Sequence, residues 1–220
     1  MNYALARTAK KLGISLGRSY SRESSGKLAV EPGHWSIGHF RWNRLSELPT
    51  GATLTFLRHP VAHTWSHYQH MVRHGGFTGG IEDFMKTKHA DNLQVKFMAG
   101  VAQVDQAALE SALTHLEQLD FIGITEHFDK SLCALYAQYN LGQPRYLKIQ
   151  ENPNPSQPTE EQEALMRTFL KPDLILYHKA AELFTQQPSV QEITSDDLKK
   201  FTKRNKRYSR VHKAYNKYFS

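Results

Sequence analysis

The segment from Leu54 to Tyr68 contains the residue types of an anion-binding site, with an arginine placed where a strand gives way to a helix. Residues 54–57 are apolar or β-branched, as in a strand buried on both faces, and Pro60 suits the first turn of a helix. Arg58 therefore falls at the crossing. The free N–H groups of a helix N-terminus attract anions, and a guanidinium adds donors shaped for phosphate. The alternative is an arginine that caps a neighbouring helix in an ordinary α/β crossover.

Two hydroxyl-bearing residues, Ser66 and Tyr68, follow Arg58 closely enough to reach the same pocket. Arg58-x-Pro followed by Ser-x-Tyr resembles the segment by which Golgi-type carbohydrate sulfotransferases, the heparan sulfate 2-O-sulfotransferase group among them, bind the 3'-phosphate of 3'-phosphoadenosine 5'-phosphosulfate (PAPS). On this resemblance Arg58 and Ser66 bind that phosphate. Three further stretches match in the same order, so that the likeness runs from about Lys10 to Phe184: Gly38–Phe40, Asp91–Gly100 and Phe121–Leu132.

Sulfuryl transfer needs a base for the acceptor proton and positive donors around the transferring oxygens. His39 lies in the sequence Gly-His-Phe and matches the segment whose histidine is the base in the resembled enzymes. A histidine titrates near neutral pH and accepts a proton there without a large pKa shift. The alternatives are His34 as the base, or His39 as an ordinary surface residue.

In the resembled family a lysine-bearing loop that opens a helix binds the 5'-phosphosulfate. Lys10, Gly13 and Ser15 keep the Lys, Gly and Ser of that loop at matching offsets. The resemblance implies that Lys10 neutralises charge on the bridging oxygen and takes part in catalysis, that Gly13 lets the backbone approach the phosphate, and that Ser15 donates a hydroxyl. The proline and both threonines of the family motif are absent. The alternative is a basic N-terminal helix without a catalytic role.

Histidines replace two charged residues of the family pattern. His59 and His63 stand where family members usually have Asp and a second Arg, and a neutral histidine does not replace an ion pair, so nucleotide affinity is expected to depend on pH. Four histidines fall near one helical face, an arrangement that could form a zinc or nickel site: His63, His67, His70 and His74. No Cys or carboxylate accompanies them at ligand spacing, so an exposed polar stripe is favoured and no metal is expected.

The elements that must position these residues alternate between short strands and amphipathic helices. Strands are predicted at 3–6, 28–30, 53–57, 121–124 and 146–149, and helices at 13–16, 61–73, 81–86, 92–98, 105–117, 128–139, from 159 and at 172–184. This alternation predicts an α/β fold with a central parallel sheet flanked by helices, which the resemblance makes a P-loop-like three-layer fold. The predicted domains are a sulfotransferase-like domain, 1–188, and a basic amphipathic C-terminal tail, 189–220.

The net charge of +7 is concentrated in that tail. From Leu198 onward there are nine Lys and Arg and no acid, whereas the remaining 19 basic and 21 acidic residues leave about −2. The high pI, about 9.4, thus results from the basic residues of the tail. Nucleic-acid binding by the protein is therefore not expected. The residue pattern of the tail predicts a basic amphipathic helix, which docks an anionic acceptor or an anionic membrane surface. The alternative is a solvated tail.

The predicted function is PAPS-dependent transfer of a sulfuryl group to a hydroxyl or amine of an acceptor, a carbohydrate or glycolipid. No apolar run approaches membrane-spanning length, no signal peptide is visible, and the single cysteine, Cys133, cannot form an internal disulfide. We therefore expect a soluble cytoplasmic protein, peripheral at the membrane through its tail. The competing prediction is a non-catalytic protein that binds adenosine 3',5'-bisphosphate or polyanions.

Overall fold

The computed structural model describes residues 2–12, 14, 16–19, 35–45, 51–147 and 156–219. The strands are β1 (Leu16–Ser19), β2 (Trp35–Gly38), β3 (Leu54–Leu57) and β4 (Phe121–Ile124). The helices are α1 (Asn2–Leu12), α2 (Trp42–Leu45), α3 (Pro60–His74), α4 (Ile81–Met85), α5 (Leu93–Ala99), α6 (Gln106–Glu117), α7 (Phe128–Gln138), α8 (Glu160–Phe169), α9 (Lys171–Gln186), α10 (Pro188–Gln191) and α11 (Ser195–Phe219). The described part is mostly helical, and its helices and parallel strands agree with the predicted α/β class.

The described strands form two separate parallel pairs. β1 pairs with β2 from Leu16 opposite Trp35 to Ser19 opposite Gly38. β3 pairs with β4 in the same direction, and β4 is buried along its whole length, as its unbroken apolar sequence requires. A single central sheet between two helical layers stays a prediction.

Two compact units divide the chain, and neither is continuous in sequence. The first contains residues 1–39, 127–151 and 185–220, and the second contains residues 40–126 and 152–184. The predicted domain boundary after residue 188 stays a prediction, but Val190 and Phe201, which lie beyond it, are buried in the first unit.

The core of the second unit is an apolar cluster between α3, α4 and α8. Val61, Phe84, Met166 and Leu170 are buried in it. Helix α8 begins as its sequence predicts, because the Thr159 hydroxyl accepts from the N–H of Gln162 at 3.3 Å while the Gln162 side chain accepts from the N–H of Thr159 at 2.9 Å.

In the first unit, Tyr136 of α7 is buried and joins α7 to α1. Its hydroxyl donates to the carbonyl oxygen of Ala4 at 3.1 Å and lies 2.7 Å from the Thr8 hydroxyl. Phe201 of α11 is fully buried in the same unit. None of the described helices combines the length and the apolar composition needed to cross a bilayer.

The predicted strand at 3–6 and helix from Gly13 are wrong, because α1 occupies residues 2–12 and β1 begins at Leu16. Ala4, Leu5 and Ala9 are buried, and their spacing is that of one helical face. A short window around Tyr3 hides this period, which emerges only over the whole segment. The N–H of Ile14 closes the helix end by donating to the carbonyl of Ala9 at 2.9 Å.

The predicted outer strand at 146–149 is absent at its described residues, Tyr146 and Leu147. The N–H of Tyr146 donates to the Asn205 side chain at 2.9 Å and its hydroxyl donates to Asp129 at 2.8 Å. A side chain therefore takes the backbone donor that a ladder would need. The rest of that segment, and the predicted strand at 28–30, lie outside the described residues.

Candidate anion-binding site at the junction of β3 and α3

Arg58 lies where the sequence predicts it, between the last residue of β3 and the first residue of α3. Because β3 and β4 are parallel, their carboxyl ends share one edge, which is where ligands bind in open α/β sheets. Pro60 occupies the first turn of α3, and no side chain caps this helix end with a hydrogen bond. The positive end of a 15-residue helix therefore opens next to Arg58.

Gln94 of α5 fixes the backbone of Arg58 from both sides. Its side-chain oxygen accepts from the N–H of Arg58 at 3.2 Å, and its side-chain nitrogen donates to the carbonyl of Arg58 at 2.9 Å. With both backbone groups held, the guanidinium extends from a fixed base. This reduces the entropy lost when it binds a ligand.

Asp173 of α9 holds the helix that carries Gln94. Its carboxylate accepts from the N–H of Val95 at 2.8 Å and from the N–H of Gln94 at 3.3 Å, so it binds the first turn of α5. Burial raises the pKa of Asp173 to about 6, although the same two N–H groups act in the opposite direction. Neighbouring Asn92 donates to the carbonyl of Phe169 at 3.0 Å, which ties α5 to α8.

Glu126, just after β4, brings one carboxylate to the same edge. It accepts from the N–H of His59 at 2.9 Å and from the Tyr177 hydroxyl at 3.0 Å. Burial, and then the nearby Glu126 charge, raise the pKa of Tyr177 to about 12, so Tyr177 remains a donor. The carboxylate is thus held against His59 and Tyr177.

His59 adds no positive charge to the junction at neutral pH. Its ring meets that of Tyr177 edge to face at 5.2 Å. Burial lowers the pKa of His59, and the positive charge of Arg167 lowers it further. Arg58, whose guanidinium stays charged at any physiological pH, is therefore a permanent cation of the junction. In the described part of the chain, no carboxylate pairs with its half-buried guanidinium.

Ser66 lies further along α3, about 9 Å from Pro60 along the helix axis, and is half-buried. Arg58 and Ser66 thus belong to one continuous strand–helix element of the second unit. Tyr68 is turned into the core, where its ring packs 5.5 Å from that of Phe84. Its hydroxyl donates to the carbonyl of Gly79 at 3.4 Å. Tyr68 therefore supports the helix, and the role of Ser66 as a hydroxyl donor stays a prediction.

His39 belongs to the first unit, directly after the last residue of β2, and it is exposed. β2 is parallel to β1, so His39 stands at the carboxyl edge of that pair. This is a setting in which catalytic residues of α/β proteins are common. His34 lies outside the described residues.

Lys10 is exposed in the last turn of α1, also in the first unit. The order here is helix, connection and then β1, whereas a phosphosulfate loop follows a strand and opens a helix. Lys10 also precedes the amino end of β1, the edge opposite to His39. Gly13 and Ser15 lie outside the described residues. The phosphosulfate-binding role of Lys10 stays a prediction.

The histidines of α3 contact aromatic rings and one another. The ring of His67 meets Phe84 edge to face at 5.6 Å and His89 at 5.7 Å, and His70 lies 5.0 Å from His74. Within the described residues no three metal-ligating side chains come together.

The supporting residues Gln94, Asp173 and Glu126 were not predicted as site residues. Gln94 and Glu126 stand inside two of the stretches that carry the family resemblance, and that was the available signal. Their contacts join residues 36 to 79 positions apart, and sequence periodicity carries no information on such pairs.

In comparisons with known proteins, this chain matches no protein-family model and no curated protein.

Proposed function

We propose that this protein is a PAPS-dependent sulfotransferase that transfers a sulfuryl group to a hydroxyl or amine of an acceptor, most simply a carbohydrate. The observation that carries the proposal is the Arg58 junction: a guanidinium with a fixed backbone, at the carboxyl edge of a parallel strand pair and beside an uncapped helix N-terminus. A nucleotide phosphate fits these donors in charge and geometry. The proposal includes a P-loop-like three-layer fold.

The proposed roles follow from the chemistry of sulfuryl transfer. Arg58 and Ser66 bind the 3'-phosphate of PAPS, and His39 accepts the acceptor proton as the oxygen or nitrogen attacks sulfur. The sulfur–oxygen bond to the phosphate breaks in the same step and leaves adenosine 3',5'-bisphosphate. Lys10, Gly13 and Ser15 are assigned to the leaving phosphate on the family resemblance alone. No metal is required, because the protein contributes positioning and positive charge.

The second candidate is a non-catalytic protein that binds adenosine 3',5'-bisphosphate. The setting of Lys10 favours it, because a lysine in the last turn of a helix differs from one in a loop that opens a helix. Both candidates use the Arg58 junction. They differ in turnover.

Ligand stabilisation tests the junction. Adenosine 3',5'-bisphosphate is expected to raise the melting temperature, and Arg58→Ala is expected to remove most of that rise. Losing a charged hydrogen-bond donor to phosphate costs about 1.5 to 3 kcal/mol, or about tenfold to hundredfold in affinity. Arg73→Ala is the matched control, because Arg73 is exposed in the last turn of the same helix. If the nucleotide raised the melting temperature of Arg58→Ala as much as that of wild type, the phosphate would not bind at this junction.

Turnover separates the two candidates. The protein is incubated with PAPS and oligosaccharide acceptors, and the release of adenosine 3',5'-bisphosphate is measured. If the protein is a sulfotransferase, the wild type turns over and His39→Ala does not. The nucleotide still stabilises His39→Ala, because the base acts on the acceptor and need not touch the nucleotide. Binding without turnover supports the second candidate. Full activity in His39→Ala assigns the base to another residue, with His34 the next to test.

A further inference from the structure

One face of α11 carries a row of cations that nothing in the Arg58 junction uses. Lys199, Lys203, Lys206, Arg207 and Arg210 are all exposed. At 3.6 residues per turn they fall within an arc of about 100° and extend about 17 Å along the axis. We call these five residues the basic stripe.

The opposite face of α11 is already occupied by the first unit. Phe201 is fully buried and stacks on Tyr146 at 6.2 Å. Asn205 accepts from the N–H of Tyr146, and the guanidinium of Arg145 lies 5.9 Å from the ring of Tyr208. The apolar side of this part of the helix is therefore committed to the protein core, and the basic stripe faces outward.

Among the described residues, no acid neutralises the charge of the basic stripe. The only acids of α11, Asp196 and Asp197, stand in its first turn. Asp196 pairs with Lys200 at 2.6 Å, and Asp197 accepts from the N–H of Thr194 at 3.1 Å and from its hydroxyl. In the described part of the chain, no ion pair joins a stripe residue to an acid. A row of like charges on one helix face is a self-repulsive arrangement that an external anion relieves.

We propose that the basic stripe docks the protein on an anionic phospholipid surface, with α11 lying flat on the headgroups. Clusters of four to eight Lys and Arg on one helix face are a sequence feature of such binding. Because Phe201 is buried in the protein, the helix does not insert its main apolar side, and the attachment is chiefly electrostatic. It goes beyond the proposed activity and requires no nucleotide.

Two features favour a lipid surface over a dissolved polyanion. The five cations are spread over a wide arc of the helix, and their long, flexible side chains can all contact a flat surface together. A single extended polyanion is narrow and contacts fewer of them. Val211 is 64% exposed, lies about 40° from Arg207 around the helix, and offers an apolar contact beside the stripe. The sequence continues with Lys213, Tyr215, Lys217 and Tyr218, a mixture of cations and aromatics that suits a membrane interface.

Vesicle co-sedimentation of the full-length protein tests this inference. Binding is measured with phosphatidylcholine vesicles, with and without phosphatidylserine, at low and high salt. Each cation near an anionic surface contributes about fivefold in affinity, so Lys203→Gln/Lys206→Gln/Arg210→Gln is expected to weaken binding about a hundredfold. The control is Lys11→Gln/Lys88→Gln/Lys171→Gln, which removes the same charge from three exposed lysines outside α11 and is expected to bind as wild type.

The inference is supported if only vesicles with phosphatidylserine bind, if high salt releases the protein, and if only the stripe variant is impaired. It is overturned if both triple variants weaken binding equally, since net charge would then suffice. It is also overturned if vesicles do not bind while dextran sulfate or duplex DNA binds with the same dependence on the stripe, because the stripe would then be a site for a soluble polyanion. Circular dichroism of both variants shows whether α11 stays helical.

Discussion

At the scale of single residues, the junction of β3 and α3 is held by side chains that bind backbone groups. Gln94 bonds the N–H and the carbonyl of Arg58, Glu126 bonds the N–H of His59, and Asp173 bonds two N–H groups of α5. Backbone partners leave the Arg58 guanidinium available. A carboxylate partner would instead neutralise the charge that the proposed phosphate requires.

Asp173 makes the stability of the protein depend on pH. Burial raises its pKa from 3.8 to about 6, so the native state binds this proton more tightly than the unfolded chain does. The contribution of Asp173 to stability is therefore greatest below about pH 4 and falls as the pH rises to about 6, by about 2 to 3 kcal/mol.

Asp173→Asn is expected to remove this pH dependence, because an amide does not titrate. Urea unfolding from pH 4 to pH 7 measures it: the free energy of unfolding of wild type minus that of Asp173→Asn should decline by about 2 to 3 kcal/mol over this range. Glu192→Gln is the control, since Glu192 is exposed, and its difference from wild type should stay constant. A constant difference for Asp173→Asn would mean that the carboxyl titrates as in the unfolded chain.

At the scale of elements, β3 and β4 pack closely where Phe56 faces Gly123. Gly123 stands opposite Phe56, and a Cβ added to Gly123 would lie 2.6 Å from a ring carbon of Phe56. The ring therefore covers the glycine. Any side chain there must displace it within a buried strand.

Gly123→Ala is expected to destabilise the protein by about 1 to 3 kcal/mol through overpacking. Gly80→Ala is the control, because the space around a Cβ at Gly80 is open and its φ of −73° suits alanine, so its effect should stay within about 0.5 kcal/mol. Thermal unfolding of both variants measures the difference. Equal stability would show that Phe56 moves aside without cost.

Periodicity predicted most elements of the second unit. The apolar spacing of α6 and the unbroken apolar run of β4 each specify one structure, and Asp105 and Thr159 cap the helices that they precede. The N-terminal segment was misassigned because four consecutive residues are too few to separate a helix from a short strand. Arg58 was predicted from local signals, whereas the Gln94 clamp was not, since it depends on a contact across 36 residues.

At the scale of the whole molecule, the C-terminal helix is part of a folded unit as well as a carrier of charge. Its sequence predicted an amphipathic helix from about Leu198, and α11 runs from Ser195 to Phe219. What the sequence did not reveal was the partner of Phe201 and Tyr208, which contact Tyr146 and Arg145 of the first unit. Deleting residues 198–220 would therefore remove a buried core residue, Phe201, together with the positive charge of the tail.

Phe201→Ala is expected to destabilise the first unit by about 3 to 5 kcal/mol, through lost burial and the cavity left behind. Val211→Ala on the same helix is the control, since Val211 is 64% exposed, and its effect should be within about 0.5 kcal/mol. Urea unfolding followed by circular dichroism measures both. A small effect of Phe201→Ala would mean that α11 is dispensable to the fold and acts as a free tail.

The division of the first unit into three stretches of sequence sets an order of assembly during translation. The second unit is complete once residue 184 has left the ribosome, whereas the first unit also needs Phe201, which is buried in it. Helix α1 waits for Tyr136, which lies 128 residues beyond Thr8, before its hydrogen bonds to the Tyr136 hydroxyl can form. Its exposed residues in that interval, Ala4, Leu5 and Ala9 among them, are a target for chaperones that the finished protein no longer presents.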